Sequence, residues 1–412
     1  MATQPPTSLI LRNSSMALTA TGEGLGVVTN AAIVIESGRI VWIGAESDLP
    51  SAASQATEVH DLGGRFVSPG LVDCHAHPIF AGRRADEFAR RARGDHYLDI
   101  AREGGGIMAT VRATRDASTE ELVELSCRRM QHALQAGTTS MEAKSGYDLT
   151  VDGELRLLQV VAEVGKRQPI TLHPTLLGAH ALPPEFADDR AGFIASVTEE
   201  MIPRAAALKV AEAVDVYCDE GAFTLEETRT ILETAKRHGL RTKAHIGQFV
   251  DLGAAQMLAE LGSLSGDHLE AVSREGLAAM GKARVVATML PGACVQLRMS
   301  PPPVEEIRRA GVAMAIGSDL NPGTSHSESL PLAMWLATTH YGMTVEEAWL
   351  GVTRHAAQAL GAPSSGQIAV GGPADLVVWN AELPSEIPYH FGVNLAARVY
   401  KDGRTVVGAA RL

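Results

Sequence analysis

The middle of the chain, residues 68–360, alternates short apolar runs with segments of helical spacing. The segments 119–135 and 225–238 show that spacing most clearly, and each follows a Ser/Thr-x-x-Glu sequence typical of a helix N-terminus. Eight strand-like runs in this order predict an α/β fold, the (β/α)8 TIM-like barrel. The runs end near His75, Lys144, Leu176, Cys218, His245, His268, Pro291 and Asp319.

Both ends of the chain have a different pattern, with short β-branched runs separated by tight turns such as Ser37-Gly38 and Asp402-Gly403. Two β-rich ends that flank an α/β middle predict one small β domain made from both termini. We therefore expect residues 1–67 plus 361–412 to form this domain and residues 68–360 to form the barrel.

Composition narrows the classes of function. A formal net charge of −12 argues against a general nucleic-acid binder, which needs a basic face. The N-terminal residues lack the basic and apolar regions of a signal peptide, and no apolar stretch is long enough to span a membrane. Four cysteines without C-x-x-C spacing fit a reducing compartment, so we expect a cytoplasmic protein without membrane contact.

His75 and His77 stand one residue apart at the end of the first run. Side chains alternate along a strand, so both imidazoles face the same side. Two converging imidazoles make half of a zinc or iron site. Taken alone, however, they could equally be two unrelated polar residues at a strand end.

Three further polar residues stand at the ends of later runs: His245 at the fifth, His268 at the sixth and Asp319 at the eighth. Singly, each histidine could be structural, and Asp319 could begin a turn. In a closed barrel, however, the carboxyl ends of all strands converge on one mouth. The combination therefore predicts an active site at that mouth.

Several longer segments carry a family resemblance. They are Pro69-Gly-Leu-Val-Asp-Cys-His-Ala-His, Phe80-Ala-Gly-Arg-Arg, Gly104-Gly-Gly-Ile, Glu142-Ala-Lys-Ser-Gly-Tyr, Leu177-Gly-Ala-His-Ala, Asp267-His-Leu-Glu and Gly317-Ser-Asp-Leu-Asn-Pro-Gly-Thr. On these, nearly the whole chain resembles the amidohydrolase superfamily of metal-dependent hydrolases, and most closely its branch in histidine degradation. The resemblance implies a distorted barrel with a small β-sandwich domain built from both termini, and it implies a homodimer.

The resemblance also implies a set of site residues around one divalent ion per chain, Zn²⁺ or Fe. The implied metal ligands are His75, His77, His245 and Asp319. The implied catalytic residues are His268 and Asp319. The implied substrate-binding residues are Arg84, Tyr147, His180, Asn321, Gly323 and Thr324. We also expect Gln248, where this chain departs from the family, to bind the substrate.

The reaction implied by the resemblance is hydrolysis of the cyclic amide C–N bond of 4-imidazolone-5-propanoate to N-formimidoyl-L-glutamate. The substrate is a small anionic heterocycle, and the guanidinium of Arg84 suits its carboxylate because the two can pair bidentately.

One departure keeps a second hypothesis open. The family usually carries an acid within three positions after the histidine of the fifth strand, whereas this chain has Ile246-Gly247-Gln248. A related amidohydrolase or deaminase acting on another small N-heterocycle is the alternative. A non-enzymatic scaffold should have lost metal ligands, and this chain keeps all four.

Overall fold

The computed structural model describes residues 8–51, 56–95 and 103–408, and its strands form two eight-stranded sheets. The strands are β1 (Ser8–Leu18), β2 (Val27–Glu36), β3 (Arg39–Ala45), β4 (Glu58–Asp61), β5 (Val67–Pro69), β6 (Leu71–Asp73), β7 (Thr138–Lys144), β8 (Thr171–Ala179), β9 (Ala213–Cys218), β10 (Arg241–Ile246), β11 (Ser265–His268), β12 (Val286–Met289), β13 (Met314–Ile316), β14 (Leu376–Trp379), β15 (Ala396–Lys401) and β16 (Arg404–Val407).

Helices follow most of the strands in the middle of the chain. They are α1 (Ala85–Ala92), α2 (Ile107–Asp116), α3 (Thr119–Gln135), α4 (Val151–Arg167), α5 (Arg190–Ala195), α6 (Ile202–Leu208), α7 (Leu225–Arg237), α8 (Ala254–Leu261), α9 (Arg274–Ala283), α10 (Pro291–Leu297), α11 (Val304–Arg309), α12 (Leu330–Thr339), α13 (Val345–Gly351), α14 (Arg354–Ala359) and α15 (Glu386–Tyr389). Among the residues described, no helix has both the length and the apolar character needed to cross a membrane.

The strands β6 to β13 pair in parallel and in chain order, which confirms the predicted barrel. The ends of β6 and β13 also meet, because the Asp319 amide donates to the His75 carbonyl and the His77 amide donates to the Leu320 carbonyl, both at 2.9 Å. All eight runs found in the sequence are barrel strands, although β8 continues past Leu176 to Ala179.

Local sequence explains where the two predicted helices begin. The Ser118 side chain accepts a hydrogen bond from the Glu121 amide at the start of α3. In front of α7, Thr224 and Glu227 form a reciprocal capping box, which satisfies two of the free amides at that helix end. Each helix then buries one apolar stripe against the barrel.

The second sheet contains strands from both ends of the chain, in the order β16-β15-β14-β5-β1-β2-β3, with β4 paired to β1. Its two halves share one hydrophobic core, in which Leu9, Leu11 and Ile33 accompany Leu376 and Val378. The prediction of a separate β unit built from both termini is confirmed. The boundaries at 67/68 and 360/361 remain a prediction.

The described residues of the long connection between β6 and α3 include α1 and α2. The connection is anchored by Arg129, whose guanidinium lies 3.5 Å from the centre of the Phe80 ring. The same guanidinium donates to the carbonyls of Pro78 and Phe80. This anchoring fixes the chain that leads from His77 to Arg84.

Candidate active site

Three imidazoles meet at the carboxyl end of the barrel. His75 and His77 follow β6, and His245 lies in β10. The His75 and His77 Nε2 atoms are 3.2 Å apart, and the His77 and His245 Nε2 atoms are 3.4 Å apart. All three residues are buried. Burial, together with neighbouring positive charge, holds the pKa of His75 well below its usual range, which favours the neutral ring that binds metals.

Asp319 brings a carboxylate to the same point. Its Oδ1 lies 3.5 Å from the Nε2 atoms of both His75 and His77. Asp319 follows β13 and has a positive φ of 49°, a backbone conformation that residues other than glycine adopt rarely. Burial raises the pKa of Asp319 to about 7, so a cation beside it would stabilise the ionised form.

Two further carboxylates each contact one of the imidazole rings at Nδ1. Asp267 accepts from His75 Nδ1 at 2.6 Å, and Asp215 accepts from His245 Nδ1 at 3.1 Å. A proton held at Nδ1 leaves the lone pair on Nε2, where the rings converge. This arrangement orients metal-binding histidines and increases their basicity.

Two buried lysines balance these acids inside the barrel. Lys144 pairs with Asp215 and lies 2.8 Å from Glu142, and Lys243 donates to Glu142 at 2.8 Å. Burial works against a charged Lys144, but the charges of Asp215, Glu142 and Asp267 outweigh it and raise the pKa of the lysine. Burial at Asp215 is outweighed by the charges of His245 and Lys144, which hold its pKa well below the usual range. By contrast, burial raises the pKa of Asp267.

Sequence reasoning missed this inner network, although a signal for it exists. Glu142 and Lys144 stand two apart in β7, and Lys243 stands two before His245 in β10. A period of two places such residues on the face that carries the histidines. Charged residues at that period within an apolar strand would have identified Glu142, Lys144 and Lys243.

His268 ends β11 beside the three imidazoles. Its ring centre is 5.5 Å from that of His245 and 6.0 Å from that of His75. His268 and Leu269 both have positive φ, at 82° and 76°. Two consecutive left-handed residues other than glycine are strained and are held in place by their surroundings.

Tyr147 and His180 line the other side of the cluster. The His180 ring stacks on His77 with centres 5.2 Å apart, and the Tyr147 ring lies 6.0 Å from His77 and 5.3 Å from His180. Burial, followed by the charge of His245, lowers the pKa of His180 to about 3, so this ring is neutral. A neutral ring can donate one hydrogen bond and accept another.

Gln248 reaches the site through a neighbour, because its Oε1 accepts from the Tyr217 hydroxyl at 2.9 Å. The absence of an acid at the preceding position, 247, has a steric cause. Gly247 has a φ of +58°, and a Cβ at this position would lie 2.5 Å from the Val272 side chain. This backbone therefore has no room for an acid at 247.

Arg84, Asn321, Gly323 and Thr324 meet at the rim of the mouth. The Asn321 Oδ1 accepts from the Gly323 and Thr324 amides, at 2.8 and 2.7 Å, and so builds the turn after β13. The Arg84 guanidinium lies against Gly323, where an added Cβ would be 2.3 Å from Arg84 Nη1. The guanidinium also pairs with Glu87 at 2.8 Å. The structure thus brings Arg84 to the loop that carries Asp319.

The donor set fits a divalent metal ion. The ligand atoms of His75, His77 and His245 all lie within 4.8 Å of one another. Three converging imidazoles with a carboxylate beside them are the kind of ligands that zinc and iron prefer. Without a cation, the lone pairs of the converging Nε2 atoms would repel one another.

Comparison with known proteins agrees with this geometry. The model of the amidohydrolase family matches residues 84–407. The imidazolonepropionase of Paracoccus denitrificans is 47% identical over 91% of this chain and 94% of its own. The enzyme of that name from Cupriavidus pinatubonensis is 46% identical over 92% of this chain and 89% of its own.

A solved structure has the same fold at lower identity. A mutant of atrazine chlorohydrolase from Arthrobacter aurescens, complexed with zinc and atraton, aligns with a TM-score of 0.74. The alignment covers 98% of this chain and 96% of the other, at 17% identity.

Proposed function

The chain belongs to the amidohydrolase family, within which its relatives are imidazolonepropionases, and we propose that it hydrolyses the cyclic amide of 4-imidazolone-5-propanoate to N-formimidoyl-L-glutamate. The observation that carries the proposal is the convergence of His75, His77, His245 and Asp319, with His268 beside them. A C–N hydrolase needs this combination because water must be activated and a carbonyl polarised at one place.

We propose His75, His77, His245 and Asp319 as ligands of one ion per chain, Zn²⁺ or Fe. Such an ion lowers the pKa of water to about 7 and withdraws electrons from a carbonyl oxygen. The carboxylates of Asp267 and Asp215 hold two of the ligand rings in the required tautomer.

The remaining residues have complementary roles in this proposal. His268 takes the proton of the attacking water and later returns it to the leaving nitrogen, with Asp319 orienting that water. Tyr147 and His180 flank the substrate ring. Arg84 binds the propionate, supported from behind by the Asn321–Thr324 turn.

Gln248 offers an amide to the ring rather than a carboxylate. Its carbonyl already accepts from Tyr217, so its NH₂ group is the part available to a ring nitrogen or carbonyl. Gln248 cannot take a proton. This limitation is the observation that favours the second candidate, a related amidohydrolase or deaminase of another small N-heterocycle.

Turnover of freshly generated 4-imidazolone-5-propanoate, measured beside a panel of neutral and anionic N-heterocycles, separates the two candidates. The proposal expects kcat/KM to be highest for the propionate-bearing imidazolone. It also expects KM to rise in Arg84→Met with little change in kcat, since carboxylate binding is remote from the reacting bond. Preference for another ring, with little turnover of the imidazolone, would support the alternative.

Two further features complete the proposal. Tyr389, Phe391 and Val393 are exposed, and Phe391 stacks on Trp335 with ring centres 4.3 Å apart, so this apolar patch supports a homodimer. All four cysteines are free, which supports a reducing, cytoplasmic location. The domain boundaries expected from the sequence, 1–67 plus 361–412 and 68–360, are retained as part of the proposal.

A further inference from the structure

Glu270 is a buried acid that the roles above leave unused. It lies two residues after His268, and its side chain is 5% exposed. Neither of its carboxyl oxygens has a hydrogen-bond partner among the residues described. A buried carboxyl without a partner is costly, and where one persists it calls for an explanation.

A polar neighbour of this carboxyl is Nδ1 of His268. Glu270 Oε2 lies 3.8 Å from His268 Nδ1, and that nitrogen also has no hydrogen-bond partner within the described part of the chain. The gap is somewhat longer than a hydrogen bond. Catalytic hydrogen bonds are often long in ligand-free structures and tighten when substrate binds.

The same pairing occurs twice more in this barrel. His75 Nδ1 faces Asp267, and His245 Nδ1 faces Asp215. His75, His245 and His268 therefore each have a carboxyl group near Nδ1, whereas the Nδ1 of His77 has no partner among the residues described. By this internal comparison, Glu270 stands to His268 as the two aspartates stand to the ligand rings.

Asp219, another acid near the mouth, is already engaged. Asp219 accepts from three backbone amides, those of Glu220, Phe249 and Val250. Position 247 has no room for a side chain, and Gln248 carries no acid. Glu270, 3.8 Å from His268, is thus an acid in a position to perform the task expected of a residue after His245.

We propose that Glu270 is a positioning residue that acts through His268 during ring opening, an inference that rests on the proposed function. In its ionised form, Glu270 accepts the His268 Nδ1 proton, so that Nε2 presents its lone pair to water. When the water oxygen bonds to the ring carbonyl carbon, its proton passes to Nε2 and the Nδ1 proton shifts to Glu270. When the C–N bond breaks, its electron pair goes to nitrogen, Nε2 gives that nitrogen its proton, and Glu270 returns the other proton to Nδ1.

The electrostatic surroundings suit a group that holds a proton between two steps. Burial, and then the charges of Asp319 and Asp219, raise the pKa of Glu270 to about 8. The other titratable groups facing it are His268, Tyr341 and Cys294, which are neutral at that pH. A pKa near the working pH allows an acid to give and to take a proton.

The test compares Glu270→Gln with the wild type in its metal-loaded form. We expect kcat to fall by about 10- to 100-fold with KM and metal content unchanged, because the ring loses its orienting acid and not a ligand. We also expect Glu270→Gln to lose the limb of the kcat/KM pH profile that reports ionisation near pH 8. Tyr341→Phe, which removes a hydroxyl facing the same carboxyl, is the matched control and should keep wild-type kinetics.

Glu270→Asp keeps the charge on a shorter arm and should recover part of kcat and the pH limb. It carries the test if Glu270→Gln cannot be isolated in folded form. Unchanged kcat in these variants, or a loss that follows metal content or the fraction folded, would overturn the inference. If the wild type itself fails to open the ring, the proposed function is wrong. If the wild type is active and the Glu270 variants are equally active, the proposed function stands and only the inference about Glu270 is wrong.

Discussion

At the scale of single residues, the acids behind the histidines determine how well the metal cluster is organised. Asp267 is fully buried, accepts from His75 at 2.6 Å and has Lys243 at 3.9 Å as its nearest cation. Its role is to keep the His75 proton on Nδ1. An amide at this position would present either a weaker acceptor or a donor.

We therefore predict that Asp267→Asn weakens metal affinity by about 10- to 100-fold. Titration against a chromogenic chelator measures this directly. Asp188→Asn, at an exposed position on the connection before α5, is the control and should bind metal like the wild type. Equal affinities in both variants would mean that Asp267 does not support the ligand.

The raised pKa of Glu270 also predicts a dependence of stability on pH. The folded state binds a proton on Glu270 up to a pKa of about 8, whereas the unfolded value is 4.5. Since the folded state binds more protons between these values, stability falls as pH rises through this window. The wild type should lose, relative to Glu270→Gln, on the order of 4 kcal/mol between pH 4.5 and 8.

Urea unfolding of both proteins at several pH values tests this sign. The difference between their unfolding free energies should grow steadily as the pH rises. A difference that is constant with pH would show that Glu270 titrates with an ordinary pKa.

At the scale of elements, the turn after β10 determines which side chains reach the mouth. Gly247 combines a left-handed φ with close contact to Val272, whereas Gly253, six residues later on the same connection, has a φ of +79° and open space around its Cα. Substitutions at Gly247 and Gly253 therefore separate the cost of backbone strain from the cost of steric overlap.

Gly253→Ala should cost about 1 kcal/mol, the cost of a left-handed alanine alone. Gly247→Ala should cost about 3 kcal/mol, because the new methyl group also displaces Val272. Urea midpoints at unchanged m-value provide the comparison. Equal losses would mean that Val272 moves aside freely, and then an acid at 247 would also be tolerated.

The barrel could be predicted from the sequence because its strands and helices each carry a local signal. The capping sequences at Ser118 and Thr224 fix where two helices begin, and the spacing of His75 and His77 fixes a shared face. That His245 and Asp319 would join them follows from barrel closure, since all strand ends meet at one rim. The family resemblance supplied which of these residues should bind metal.

Other parts of the site could not be predicted, for physical reasons. Lys144 and Asp215 lie on strands that are separated in sequence, and their charges neutralise each other only once the barrel closes. The absence of an acid after His245 left a second substrate class open in the sequence, whereas the backbone at Gly247 shows a local steric cause for it. A left-handed φ at a residue such as His268 is set by its tertiary surroundings and has no sequence signature.

At the scale of the whole molecule, the patch formed by Tyr389, Phe391 and Val393 predicts self-association. These side chains are 75%, 58% and 57% exposed, beside the apolar helix α12. Contiguous exposed apolar surface of this kind marks an interface. Phe391→Asp should convert a dimer to a monomer in light scattering, while Leu208→Asp, at another exposed apolar site, should leave the dimer intact.

A monomeric wild type at micromolar concentration would contradict the assignment of this patch. If Phe391→Asp also retains full activity per chain, each barrel works independently. That outcome is expected, because the metal cluster and the rim around Arg84 are built within one chain.

We propose that this site opens an imidazolone ring at its amide bond, and the fate of the water oxygen tests this reaction. The metal-loaded enzyme would be given freshly generated 4-imidazolone-5-propanoate in water enriched in oxygen-18, and the product would be analysed by mass spectrometry. We expect N-formimidoyl-L-glutamate with one heavy oxygen in the new carboxylate. Label in a released formyl group, release of ammonia, or unreacted substrate would contradict it.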